Sequence, residues 1–163
     1  MKLSFLIAIL FVSSFIAAQK IIPIEHNGQK YQVLDMTAKG KVMWGGYEEI
    51  ALDAAKTQSG AANTKAIVLA VGKNAGYEGK PYAAKLCNDA TDGGKDDWYL
   101  PSKEEADILY NFKDKFNVEE RGTIWTSTES SGTQAVTKYW YTGDHYKNQK
   151  VEEYNFVCIR KVE

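Results

Sequence analysis

The chain predicts an α+β domain in which helices pack against short antiparallel strands, and three observations carry that expectation. A capping-box signature opens a clear helix at Ser102. After it come short runs rich in β-branched and aromatic residues, at 123–127, 136–142 and 154–162. Ahead of it lie segments with helical spacing bounded by glycines, so helices come first and strands later.

The elements follow in order. Residues 31–36 (Tyr-Gln-Val-Leu-Asp-Met) have strand character after a His26-Asn27-Gly28 turn. Residues 41–44, after the turn at Lys39-Gly40, are the expected partner of that strand. Tyr47, Ile50, Ala51, Ala54 and Ala55 share one face of a helix over 47–57, which Gly60 closes. Residues 66–71 are assigned to a helix with Asn63 as N-cap and Gly72 beyond its end. Another short helix covers 81–90, with Pro81 near its first turn and Gly93-Gly94 past its end.

In the next helix the Ser102 hydroxyl accepts the N3 amide, and Glu105 reaches back to the Ser102 amide. Glu104 and Glu105 also suit the positive end of the helix dipole. Ala106, Leu109 and Tyr110, broadened by Ile108 and Phe112, make its apolar stripe, which extends to about Lys115. In the last strand Phe156, Cys158 and Arg160 share one face, and Val157 and Ile159 the other. Gly132, Gly143 and Asn148 mark turns.

Residues 1–18 read MKLSFLIAILFVSSFIAA. Lys2, the apolar run that follows and the small residues at Ala17-Ala18 have the layout of a secretory leader, with cleavage expected after Ala18. Its apolar core is shorter than the roughly 20 residues of a membrane span. The remainder, 19–163, reads as a single domain.

The 163 residues carry 20 Lys+Arg against 21 Asp+Glu, with 44% hydrophobic and 25% charged residues. This composition argues against a disordered tail, and the lack of basic excess argues against a nucleic-acid partner. Four Trp and ten Tyr favour half-buried packing and contact surfaces. Two cysteines are too few for a four-thiolate zinc site. Export would place Cys87 and Cys158 in an oxidising compartment, where they are expected to bond as the one possible intramolecular pair.

The runs Gly60-Ala-Ala-Asn-Thr64, Tyr82-Ala-Ala-Lys-Leu-Cys87, Gly93-Gly-Lys-Asp-Asp-Trp-Tyr-Leu-Pro-Ser102-Lys-Glu-Glu105, Ile124-Trp-Thr-Ser-Thr-Glu129 and Val157-Cys-Ile-Arg160 occur in that order. The set resembles the Lcl C-terminal domain family, named from the end domain of a bacterial collagen-like adhesin. The likeness spans about residues 30–162. It departs from the family pattern at Ile124-Trp125-Thr126, at Tyr99 in place of the commoner Arg, and at Cys158-Ile159-Arg160, which keeps one Arg of a terminal pair. The resemblance implies a C-type-lectin-like fold, distantly similar to the sulfatase-modifying enzymes, with a helix cysteine bonded to one in the last strand. The catalytic cysteines of those enzymes have no counterpart here. The Glu-Pro-Asn or Gln-Pro-Asp sugar and calcium motif of true C-type lectins is also missing.

Several residue groups are candidates for chemistry. Asp89, Asp92, Asp96 and Asp97 surround Gly93-Gly94, but the spacing is not that of a calcium loop and Lys95 interrupts it, so they read as a solvated turn. Glu104, Glu105 and Glu129 are the acids a glycoside hydrolase would use, yet capping already accounts for Glu105. His26 and His145 are the only imidazoles; Asp144-His145 reads as an exposed turn pair rather than an acid–base pair. Trp98 and Trp125 are assigned to the core, and Trp140 is expected to point away from Tyr139 and Tyr141. Tyr139, Tyr141, Asp144, His145, Tyr146 and Lys147 form the candidate ligand surface.

The resulting expectation is an exported, non-catalytic binding or adhesion module for a glycan or cell-surface protein. No catalytic residue, metal or cofactor is assigned, and no membrane insertion after leader removal. The alternatives are a secreted carboxylate-dependent hydrolase and a structural envelope protein.

Overall fold

The computed structural model describes residues 20–48, 58–72, 76–120 and 122–163. The leader expected at 1–18 lies outside these, as does nearly all of the helix expected at 47–57. The described chain is α+β, with two small antiparallel sheets and three α-helices.

The first sheet begins with a hairpin of β1 (Ile21–His26) and β2 (Gln29–Asp35). Asn27 and Gly28 join them with φ of 50° and 79°. Two positive φ values match the right-handed twist of a two-residue hairpin. β2 also pairs with β6 (Val157–Val162), so the order is β1-β2-β6. Sequence reading missed β1, because a proline in a short apolar run weakens the strand signal; Pro23 takes an outward position between the buried Ile22 and Ile24 and is tolerated because β1 is an edge strand.

Residues 41–44 do not pair with β2. Val42 bridges Tyr154 and Met43 bridges Tyr82, while β1 takes the expected place. The reason is burial: Val42, Met43 and Trp44 all sink into the core, and the Trp44 indole N–H donates to the Thr126 carbonyl at 2.8 Å.

The second sheet is a meander of β3 (Thr123–Glu129), β4 (Gln134–Tyr139) and β5 (His145–Gln149). Gly143, with φ of 80°, turns β4 into β5. Asn148 lies inside β5 rather than in a turn, because its amide is used across the ladder, donating to Thr137 Oγ1 at 3.0 Å. β4 stops at Tyr139, and β6 starts only at Val157; Tyr154 and Asn155 make isolated bridges instead.

α1 runs from Gly60 to Val71. Gly60 therefore opens a helix instead of closing one. The cap is Ser59, whose hydroxyl accepts from the Ala62 amide at 3.3 Å; Asn63 is buried inside the helix. Gly72 ends it at φ 100°, as expected. α2 is shorter than expected, at Ala83–Asn88.

α3 (Lys103–Tyr110) has the full capping box: Ser102 Oγ accepts from the Glu105 amide at 3.2 Å and Glu105 Oε2 from the Ser102 amide at 3.0 Å. It ends at Tyr110, short of Lys115, and a separate 3₁₀ turn follows at Lys113–Lys115.

The alternation along the strands divides the interior in two. Leu34 and Cys158 from the first sheet and Trp125 and Ala135 from the second join Ile67 of α1 and Ala83, Ala84 and Cys87 of α2. Val33, Val157 and Ile159, with Ile124 and Trp140, join Leu109 of α3. The expected split of β6 between Phe156/Cys158 and Val157/Ile159 is thus the division between the two cores. Trp98 and Trp125 are buried. Cys87 and Cys158 form the disulfide, with Cα atoms 5.3 Å apart, tying α2 to β6 through the first core.

Candidate functional site

Register places the candidate surface. Tyr146 lies opposite Thr137, which lies opposite Trp125, and Thr123 lies opposite Tyr139. Directly paired residues share a face, and alternate residues along a strand do too. Trp125, Thr137, Tyr139 and Tyr146 therefore stand on one side of the second sheet. Trp125 fills the core, whereas the tyrosines lie where that face runs out beyond it. Tyr146 is 49% exposed, and Tyr141, in the turn after β4, is 48% exposed. The Tyr139 ring is 6.3 Å from Tyr141 and 6.0 Å from Tyr146, at interplanar angles of 59° and 68°. The Tyr139–Tyr146 contact is edge-to-face and the Tyr139–Tyr141 contact tilted, both offset arrangements that aromatic rings favour.

The other three candidate residues separate from this trio. Asp144 sits in the turn, its carboxylate accepting from the Thr142 hydroxyl at 2.6 Å. His145 and Lys147 alternate with Tyr146, which puts them on the opposite face of β5. His145 is half-buried at the start of β5, not in an exposed turn, because α3, packed on β3 and β4, brings Asp107 against it. Trp140 turns away from Tyr139 and Tyr141 as expected and is buried against Tyr110 and Phe116.

Behind the tyrosines lies a polar cluster that sequence reading did not single out. Lys138, 4% exposed, reaches Asp107 Oδ1 of α3 at 2.5 Å and also donates to the Gly143 carbonyl. Its ammonium lies 4.9 Å from the centre of the Tyr110 ring, within range of a cation–π attraction. The Tyr110 hydroxyl donates to the Tyr141 carbonyl at 3.2 Å. His145 Nε2 is 3.4 Å from the same Asp107 oxygen. Burial holds the His145 pKa below its ordinary 6.5, aided by Lys138 and Lys103; Asp107 and a hydrogen bond with the Lys103 backbone act against that. The one local signal was an alternation that sets Lys138 opposite Tyr139; its partner on α3 is 31 residues away.

The acidic candidates have structural partners. Glu105 Oε2 accepts from the Ser102 and Gly60 amides, both at 3.0 Å, and Oε1 accepts from the Tyr99 hydroxyl at 3.0 Å. Burial, and then Glu105, push the Tyr99 phenol far above its usual range. Glu129 is buried and paired with the fully buried Lys150, whose ammonium lies 4.6 Å from the centre of the Trp44 ring. Glu104 is exposed on α3.

The four aspartates do not converge. Asp97 is gripped by Arg160 through Nε at 2.6 Å and Nη2 at 2.9 Å, a bidentate pair that holds its carboxyl below the usual range. Asp89 pairs with Lys85. Among the described residues no group of three or more His, Cys, Asp or Glu is arranged to hold a metal ion. A cleft of about 400 Å³ between the start of α1 and residues 96–99 is lined by Lys65, Asp96, Asp97, Lys161 and Glu163 among others, and by none of the three tyrosines. His26 hydrogen-bonds Asn27 in the exposed hairpin turn.

No helix among the described residues is long and apolar enough to cross a membrane. No family model matches the chain, and no curated protein matches it.

Proposed function

We propose that this chain is an exported, non-catalytic binding or adhesion module that recognises a glycan or a cell-surface protein through Tyr139, Tyr141 and Tyr146. The observation that carries the proposal is the tyrosine trio: three flat rings, two of them about half exposed, at the end of a sheet face whose other end is locked into the core. Rings with an apolar face and a hydroxyl tip suit both sugar stacking and protein contact, and they lose little conformational entropy on binding. Asp144 supplies an acceptor at the rim.

Three further features support the reading. The ordered motifs over about residues 30–162 resemble the end domain of a collagen-like adhesin. The α2-to-β6 disulfide falls where a C-type-lectin-like fold would carry one, and we take that fold as part of the proposal. A leader-like segment and a disulfide together fit export to an oxidising compartment, periplasmic or extracellular.

The test is a glycan array and a surface-protein pull-down, each run with and without calcium. Tyr141→Ala and Tyr146→Ala together should weaken any specific signal roughly tenfold or more, since aromatic anchors dominate such contacts. The melting temperature should stay close to that of the parent. Undiminished binding by the double variant would overturn the assignment of the site.

A further inference from the structure

We propose that Lys138 is the positioning residue for the turn that carries Tyr141, and that protonation of His145 loosens its hold. This goes beyond the binding face itself, although its consequence for recognition rests on that reading.

The turn between β4 and β5 is fastened from behind. Lys138 donates to the Gly143 carbonyl, and the Tyr110 hydroxyl donates to the Tyr141 carbonyl. Gly143 itself lies against the Tyr110 ring, so closely that a Cβ there would come within 2.6 Å of it. Lys138 is a buried ammonium, and such a group keeps its place only when a counter-charge neutralises it. Asp107 is that counter-charge.

The same carboxylate oxygen faces the buried Nε2 of His145 at 3.4 Å. The charged groups acting on the imidazole are Asp107 and Lys103 from α3 and Lys138 from β4. Along its own chain stand Asp144, engaged with Thr142, and Lys147. One carboxylate therefore serves one cation at neutral pH and two once His145 is protonated, with Lys103 adding a third positive charge nearby. The imidazolium draws on the partner Lys138 needs, and the Lys138–Gly143 contact weakens. The burial-lowered pKa of His145 has the matching sign: the fold disfavours the imidazolium, so the stability it contributes is intact above pH 6.5 and is lost as pH falls through the native pKa.

The experiment is an NMR titration of the purified protein from about pH 7.5 to about pH 4.5, spanning the range in which histidine changes charge. The ring of His145 and the amides of Tyr141 and Gly143 are followed together. They should move with one shared midpoint below 6.5, and exchange protection at 141–143 should fall roughly threefold or more on the acid side. His145→Gln should abolish the step in the turn amides. Lys138→Met should lower protection at neutral pH and remove the step, and Lys138→Arg should restore protection. Turn amides that stay still while the His145 ring titrates would overturn the proposal, as would an identical step in His145→Gln. If Lys138→Met fails to fold, the His145→Gln titration decides alone. None of these readouts uses a ligand, so failure here is distinct from failure of the binding proposal.

Discussion

Glu105 shows how much one side chain holds together. Its carboxylate takes the Ser102 amide at the start of α3, the Gly60 amide at the start of α1 and the Tyr99 hydroxyl. Two helix N-termini thus share one negative charge, which both favour. Glu105→Ala would leave three donors unmatched in the interior. The expected loss is about 3 kcal/mol, measured by denaturant unfolding, with a smaller loss for Glu105→Gln, whose carbonyl can still accept. The capping role was legible from Ser102 and Glu105 being three apart; the bonds to Gly60 and Tyr99 were not, since Gly60 is 45 residues away. Tyr154 gives a pH prediction at the same scale. Burial, then its hydrogen bond to Glu152, pushes its phenol up to about 12. The folded state holds the neutral form, so this contribution is complete below pH 10.0 and is lost as pH rises through about 12. An ultraviolet titration should show a tyrosine ionising near 12, and Tyr154→Phe should delete that step.

At the scale of elements, the joint between α1 and α3 turns an ordinary rule around. Alanine in place of a helical glycine normally stabilises by about 1 kcal/mol. At Gly60 a Cβ would lie 2.4 Å from Glu105 Oε2, 2.6 Å from the Leu100 carbonyl and 2.8 Å from the Ser102 amide. Gly60→Ala should therefore destabilise, by roughly 1–3 kcal/mol as overpacking does, and a thermal melt checks the sign. The same close approach explains why the glycine opens the helix: α1 begins where its backbone can meet α3 without a side chain between them. Local signals served well for α3, for β2 and its turn, and for the alternation of β6, because capping, turn chemistry and period-two burial act within a few residues. They failed for residues 41–44 and for β5. In the first, Val42, Met43 and Trp44 are buried in series, so no alternation distinguishes a strand from a core-crossing segment. β5 is a polar edge strand, His-Tyr-Lys-Asn-Gln, whose pairing is set by β4 and not by its own composition.

For the molecule as a whole, the disulfide and the buried ion pair brace the side that α1 and α2 cover. The Cys87–Cys158 link closes a sequence separation of 71 and constrains the unfolded chain by about 4 kcal/mol in the loop-entropy account. Reduction, or Cys87→Ala with Cys158→Ala, should lower stability by that order, read from urea unfolding with and without reductant. Glu129 and Lys150 bury opposite charges, and Lys150→Met should cost about 3–5 kcal/mol because it removes the counter-charge of a buried carboxylate. Chain composition, capping and alternation by themselves determined the α+β class, the start of α3, the two faces of β6 and the tyrosine-rich stretch around 139–146. Only the tertiary structure decided that Tyr139, Tyr141 and Tyr146 come together while His145 faces the other way and meets Asp107 of α3. The physical reason is that burial and backbone hydrogen bonding act locally along a strand, whereas the side that meets a helix is chosen by packing between segments distant in sequence.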